Sequence, residues 1–252
     1  MKDHDFYYVN PEYIDKNTVT FTGPELRHLK VVMRKRVGNI VQVVDGIGGT
    51  YTAELTEINS KKAIGKIHKK SRYQGEPNFH LTLAQAIPKG NRFDLIIEKC
   101  TEIGVSQFIP VITERTIAGA TEVKLNRWKK VAIAAMKQCT RSVLPEIKSV
   151  QNLESVFQSK EIYDFQLIAQ PDATNKSLAE VIFEKKQKVS HLTKIKTGIL
   201  LVGPEGGFTI NEATQAEEWN FNCFSLGSRR LRSETAGIVA SAIVMELLDN
   251  NS

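Results

Sequence analysis

The sequence has little of what staples, ligates or anchors a chain. Its 252 residues hold three cysteines, Cys100, Cys139 and Cys223, widely spaced and with no CxxC pair. An odd, scattered set of thiols argues against a disulfide framework and a thiolate zinc site. The five histidines show no HxxxH or HExxH spacing, so no metal is expected. No apolar run approaches the ~18–20 residues that span a bilayer. The N-terminal MKDHDFYYVNPEY has no apolar signal-peptide core. A cytoplasmic protein without a membrane partner is the expectation. Neither GxxxxGK followed by Ser or Thr nor GxGxxG occurs, so the common phosphate cradles are absent too.

What is present is ordinary in bulk and uneven in charge. Hydrophobic residues make up 41% and charged residues 25%, as in globular proteins, and the length allows one large or two ordinary domains. The net charge is +6. Residues 1–74 carry 13 Lys and Arg against 8 Asp and Glu, leaving +5; the remainder carries 21 against 20, leaving +1. A basic module beside a near-neutral one points to an anionic partner, most simply nucleic acid.

The first 74 residues read as short strands with turns. Val19–Phe21, Ile40–Val44, Tyr51–Ile58 and Ala63–His68 have strand length, punctuated by Asp45-Gly46-Ile47-Gly48-Gly49 and Asn59-Ser60. That spacing predicts a small β-barrel. Pro24 opens a short helix over Leu26–Met33. On it Arg27, Lys30 and Arg34 share one face, Leu26, Leu29 and Met33 another. With Lys35 and Arg36 these basic side chains are candidates for phosphate contact.

Lys69–Asn78 is polar and reads as a linker. Next come a strand at Phe79–Ala86, the loop Ile87-Pro88-Lys89-Gly90, a helix over Arg92–Gly104 and a strand at Phe108–Ile112. Strand, helix, strand over about 33 residues is a βαβ unit and implies a parallel sheet. A helix follows at Leu125–Thr140, a strand at Phe165–Gln170 and a polar loop at Lys185–Lys196.

The stretch from Gly198 to Leu248 organises the rest. Two strands, Ile199–Val202 and Cys223–Leu226, each end in a glycine loop, GPEGG and GSRR, and each loop feeds a helix. Thr209 and Glu212 form a capping box, and Ser233 stands where an N-cap would. Parallel strands of this kind bind ligands at their carboxyl ends. Spacing alone does not say which ligand.

GPEGGF followed by LGSRRLRSETA resembles the paired signature of the RsmE-type 16S rRNA (uracil-N3) methyltransferases, a branch of the SPOUT superfamily. GPELRHLKVVMRKRVGN, VVDGIGGTYTAEL, QAIPKGNRFDLIIEKCTEIGV and QCTR with PEI extend the likeness over about 90% of the chain. The chain departs from the family pattern at Asp5, Thr140, Ser228 and Arg230. The resemblance implies an N-terminal PUA-like β-barrel, residues 1–74, and a C-terminal α/β domain, residues 75–252, with a parallel sheet and a trefoil knot. It implies a homodimer that methylates N3 of a uridine in 16S rRNA of the small ribosomal subunit, using S-adenosylmethionine.

The same resemblance assigns residues. Leu201, Val202, Gly203, Glu205, Gly206, Leu226, Gly227, Leu231, Arg232 and Thr235 would hold the cofactor, largely through backbone. Lys89, Arg92, Gln138, Arg141 and Arg230 join the basic cluster as RNA contacts. Arg232, with Arg230 and Arg229 as alternatives, would stabilise charge on the uracil, and Glu205 or Glu234 would be the base. A ribose 2′-O-methyltransferase and a non-catalytic rRNA-binding assembly factor are the rival readings.

Overall fold

Period-2 burial builds the first strands. In β1 (Phe6–Tyr8), β2 (Thr18–Phe21), β3 (Ile40–Val44), β4 (Gly49–Ile58) and β5 (Ala63–Arg72) the inward positions include Tyr7, Val19, Phe21, Val41, Val43, Ala53, Leu55 and Ala63, all buried together. The computed structural model describes residues 6–116, 122–170, 176–188 and 195–249. Its contacts divide the chain into two units, Met1–Glu76 with Ile133–Leu144, and Pro77–Ala132 with Pro145–Ser252. A single cut near residue 74 therefore misses one piece: Ile133–Leu144 packs with the first unit. No helix among the described residues is long and apolar enough to cross a membrane.

The first unit is a five-stranded sheet in the order β1-β3-β4-β5-β2. β1 runs parallel to β3, and the other pairs are antiparallel. The turn from β3 to β4 is fixed by Asp45, whose carboxylate accepts the N–H groups of Ile47 and Gly49, both at 2.8 Å, and the Tyr51 hydroxyl at 2.9 Å. A Cβ on Gly49 would lie 2.1 Å from that carboxylate, so the turn requires glycine. β5 runs on to Arg72, so the expected linker is strand in its first part.

The expected basic helix is corrected. α1 (Gly23–Arg27) is followed by one wide turn, His28–Val32, closed by Met33 N–H to the His28 carbonyl at 2.9 Å. Arg34 then adopts a left-handed φ of 49°. The i, i+3, i+7 alignment of Arg27, Lys30 and Arg34 needs a continuous 3.6-residue period. The wide turn and the left-handed break remove it. Leu26 and Leu29 are buried as expected.

The second unit is built from β6 (His80–Ala86), α2 (Arg92–Ile103), β7 (Gln107–Ile112), α3 (Glu122–Gln138, shared with the first unit), β8 (Glu146–Ile147), β9 (Gln151–Asn152), α4 (Leu153–Phe157), β10 (Phe165–Ala169), α5 (Leu178–Lys188), β11 (Thr197–Val202), α6 (Ile210–Glu218), β12 (Asn222–Phe224) and α7 (Ser233–Leu248). The sheet order is β12-β10-β11-β6-β7-β8, with β9 on β7, and every pair is parallel. α5 covers Lys185–Lys188, which the sequence reading placed in a loop; residues 189–194 of that loop lie outside the described residues.

Both faces of this sheet are covered, as parallel sheets require. Alternation sorts the strand side chains. Ala84 joins Ile109, Val111, Ile199 and Leu201 against α4 and α6. Leu83 and Gln85 point the other way, where α7 packs on α2, α5, β6 and β11. α2 buries Phe93, Ile96, Ile97 and Cys100, each apolar side chain contributing ~1.5–3 kcal/mol. Gly104, at φ 112°, ends α2 in the left-handed cap.

Candidate functional site

Three neighbouring strands end at one cleft. Ala169 closes β10, Val202 closes β11 and Phe224 closes β12. Ala169 and Gln170 at the end of β10, the loops after β11 and β12, and Arg115 from the turn after β7 line about 520 Å³. β10 sits between β11 and β12, so the strand order reverses at this point. Crevices at such reversals, at carboxyl ends, are where open parallel sheets bind ligands, and the volume suits a small molecule.

The first wall is the GPEGGF loop. Gly207 N–H bonds the Pro204 carbonyl at 2.9 Å. The Thr209–Glu212 capping box then starts α6, with Thr209 N–H to Glu212 Oε2 at 2.8 Å and Glu212 N–H to Thr209 Oγ1 at 3.2 Å. Glu212 is buried, and its other oxygen accepts the Glu114 N–H at 2.7 Å. Two loops distant in sequence are thereby held by one carboxylate.

The second wall is the loop Leu226–Leu231. Gly227 has φ 99° and donates its N–H to Ser225 Oγ at 3.2 Å. A side chain there would strain the backbone. The two walls meet twice. Arg230 Nη2 donates to the Glu205 carbonyl at 3.1 Å. Ser233 Oγ donates to the Gly203 carbonyl at 2.6 Å and accepts from Gln85 Nε2 at 2.9 Å. Ser233 is not the N-cap; Arg232 holds that position, without a side-chain cap, and Ser233 is the first residue of α7.

Beside the cleft, Arg92 lies between two carboxylates. Its Nη1 is 3.2 Å from Glu205 Oε1 and its Nε 3.6 Å from Glu234 Oε1. Lys89 N–H also donates to Glu205 Oε1 at 3.2 Å. Glu234 is buried, and its Oε2 has no hydrogen-bond partner among the described residues.

Of the cofactor-binding residues expected from sequence, Gly203, Glu205, Gly206, Leu226, Gly227 and Leu231 line the cleft. Leu201 is instead a core side chain, Val202 is buried, and neither reaches the wall. Arg232 is exposed and Thr235 half-buried, both off the wall. Among the expected RNA contacts, Arg230 is on the wall. Arg92 and the Lys89 backbone are engaged with carboxylates.

Arg141 is corrected. Its side chain is 4% exposed, with Nε and Nη2 on Glu76 Oε2 at 3.1 and 2.9 Å. The guanidinium is committed to the Glu76 carboxylate and is not presented to a ligand. Gln138, Arg27, Arg34 and Arg36 are exposed in the first unit, Lys35 is half-buried, and Lys30 donates to the Asn59 carbonyl at 2.7 Å.

Sequence reasoning missed Gln85, Arg115 and Gln170. Gln85 is a fully buried polar residue in a strand, and a lone amide among apolar neighbours is the signal that could have marked it. Arg115 follows directly on β7, at the carboxyl end of the sheet, and that position was its signal.

The comparisons with known proteins agree with this geometry. Residues 75–245 match the family model of the RNA methyltransferase domain, and residues 21–67 that of the RNA methyltransferase PUA domain. A ribosomal RNA small subunit methyltransferase E from Synechocystis sp. is 32% identical over 96% of this chain and 77% of its own length. The Bacillus subtilis protein of the same name is 27% identical over 90% of this chain and 89% of its own. The crystal structure of such an enzyme from Neisseria gonorrhoeae, bound to S-adenosyl methionine, superposes with a TM-score of 0.84 at 30% identity, covering 98% and 99% of the two chains. A Legionella pneumophila methyltransferase solved with bound SAM gives 0.81 at 27% identity over 96% and 97%. By its cleft, by both domain matches and by these relatives, the chain belongs to the RNA methyltransferase family, among the ribosomal RNA small subunit methyltransferase E proteins.

Proposed function

We propose that this protein transfers the methyl group of S-adenosylmethionine to N3 of a uridine in 16S rRNA. The observation that carries the reading is the cleft at the ends of β10, β11 and β12, in a chain whose relative was solved with that cofactor in place. The residues fit the group. Gly203, Gly206 and Gly227 bring bare backbone to the cleft, as recognition of adenine and ribose by main-chain groups requires. Bound there, the cofactor supplies a methyl carried on a sulfonium.

Uracil N3 is protonated at neutral pH and must lose that proton to become a nucleophile. In this reading Arg232, exposed at the start of α7, or Arg230 or Arg229 on the cleft wall, would stabilise the negative charge that the uracil oxygens gain. Glu205 lines the cleft, so it is the better-placed base. Glu234 lies off the wall, where it holds Arg92 and through it the Glu205 carboxylate. Positioning supplies a large share of the rate.

The remaining assignments belong to the same reading. The first unit closes as a PUA-like barrel, and its basic loop docks RNA phosphates. The second carries the SPOUT knot, threaded by the segment that ends in α7. Exposed Leu95 on α2 and exposed Val239 on α7, two helices that pack together, support a homodimer through those helices. The protein acts in the cytoplasm on the small ribosomal subunit.

Mass spectrometry of 16S rRNA nucleosides, from cells with and without the gene, tests the proposal. Loss of 3-methyluridine, restored by the purified protein with S-adenosylmethionine, is the expected result. A missing 2′-O-methyl nucleoside would assign the ribose reaction instead, and an unchanged nucleoside profile would leave only an assembly role.

A further inference from the structure

Arg115 is a cation on the cleft wall for which the reaction just described has no task. It is held in place from two sides. Its own turn is closed by Thr116 N–H to the Thr113 carbonyl at 3.0 Å and Thr113 N–H to Thr116 Oγ1 at 2.9 Å. The Glu114 N–H, one residue earlier, is fixed by buried Glu212 at 2.7 Å. The guanidinium is fixed as well. Nη1 donates to the carbonyls of Gly206 at 2.6 Å and Phe208 at 3.3 Å. The side chain lies over Gly206, where a Cβ would come within 3.3 Å of Arg115 Cδ. Glycine at 206 therefore leaves room for the arginine as well as for a ligand.

Both of these bonds use Nη1. A guanidinium has five N–H donors in a fixed fork, and the Nε and Nη2 donors have no partner among the described residues. No carboxylate among them pairs with Arg115 either. A fixed, unpaired fork of this kind matches a carboxylate two bonds at a time. The target base carries no carboxylate. S-adenosylmethionine carries one, on its methionyl arm.

We propose that Arg115 binds the methionyl carboxylate of S-adenosylmethionine, so that the GPEGGF loop and the cofactor are held by the same side chain. This rests on the cofactor reading of the cleft and names the group that orients the cofactor in it. Orientation matters because an in-line displacement needs the sulfur, the methyl and N3 aligned.

Calorimetric titration of the full-length protein without RNA tests it, using S-adenosylmethionine and its decarboxylated analogue. The two ligands differ by that one carboxylate. The wild-type protein is expected to prefer S-adenosylmethionine by about tenfold, the scale of a charge-assisted bidentate contact. R115M should bring the preference close to unity, and R115K should leave part of it. The ratio is the readout, because a loop that merely loses its strut weakens both ligands alike. Equal weakening of both by R115M, or no preference in the wild type, overturns the proposal while the cofactor reading stands. So does an R115M protein that keeps the preference but binds RNA less well, which would make Arg115 a phosphate contact. If the wild type binds neither ligand, the cofactor reading falls and this proposal with it. Thermal melting reports folding, and R115K carries the comparison if R115M does not fold.

Discussion

Gln85 and Ser233 stand 148 residues apart in sequence and 2.9 Å apart in space, amide nitrogen to hydroxyl oxygen. The hydroxyl in turn donates a hydrogen bond to the Gly203 carbonyl at 2.6 Å. The bond has a direction: only a group that accepts and donates can stand in the middle. It joins β6, the start of α7 and the first cleft loop. Gln85 Oε1 points at α7, where a Cβ on Gly237 would lie 2.3 Å away.

Ser233→Ala removes the donor to Gly203 and the acceptor of Gln85 together. Buried groups left without partners cost ~1–3 kcal/mol. Chemical denaturation should show a loss of that size, with weaker S-adenosylmethionine binding. Ser233→Thr keeps the hydroxyl and should recover most of the affinity. Gln85→Glu, nearly the same shape, cannot donate to Ser233 when ionised and should behave like Ser233→Ala. Wild-type affinity in both Ser233→Ala and Gln85→Glu would show that this chain of bonds does not shape the cleft.

Arg232 gives a cleaner kinetic test. It sits at the N-cap of α7 without a side-chain cap, exposed and off the cleft wall. Arg232→Ala should therefore leave stability and cofactor binding near wild type. If the guanidinium stabilises charge on the uracil, the barrier to methyl transfer rises by ~2.7–4 kcal/mol, the range for a lost oxyanion donor. Single-turnover methyl transfer at saturating cofactor measures it, and an unchanged rate would take Arg232 out of the chemistry.

Much of this was legible in the residues, and the failures have physical causes. α2 ran to length because its apolar period and Gly104 cap agree, and α6 began where Thr209 and Glu212 reach each other. Both depend on local chemistry. The basic helix failed because the wide turn at His28–Val32 and the left-handed Arg34 break its period, while the apolar spacing of Leu26 and Leu29 is satisfied all the same. Ser233 looked like a cap because capping is the usual use of a serine ahead of a helix; its partner lies 30 residues away on another loop. Arg141 was expected as a ligand contact from the resemblance of QCTR and PEI to the family segment, and only the fold brings Glu76 to it.

That pair makes a stability prediction. Glu76 Oε2 accepts two bonds from Arg141, while Oε1 accepts the backbone N–H groups of Ser142 at 2.6 Å and Val143 at 2.8 Å. Breaking a buried pair by removing one partner strands the other charge, at ~3–5 kcal/mol. Glu76→Ala should lose stability at that scale, and more than Arg141→Met, because Glu76 also holds the backbone N–H groups of Ser142 and Val143. Equal losses in denaturant melts would assign the cost to the ion pair alone.

The N-terminal basic loop carries the last test. Its side chains do not share a helix face, so a stripe matched to a regular groove is not on offer. Arg34 is exposed at the left-handed position that ends the wide turn, followed by Lys35 and then exposed Arg36. A cluster on an irregular loop can still neutralise phosphates, and each phosphate contact adds a term to the salt dependence of binding. Arg34→Ala with Lys35→Ala should weaken affinity for small-subunit rRNA fragments across sequences. It should also reduce the slope of log K against log salt by roughly 1 to 2. Filter binding over a salt series gives that slope. A slope equal to wild type, with affinity lowered or not, would place the docking surface elsewhere on the protein, since a lost phosphate contact cannot leave counterion release unchanged.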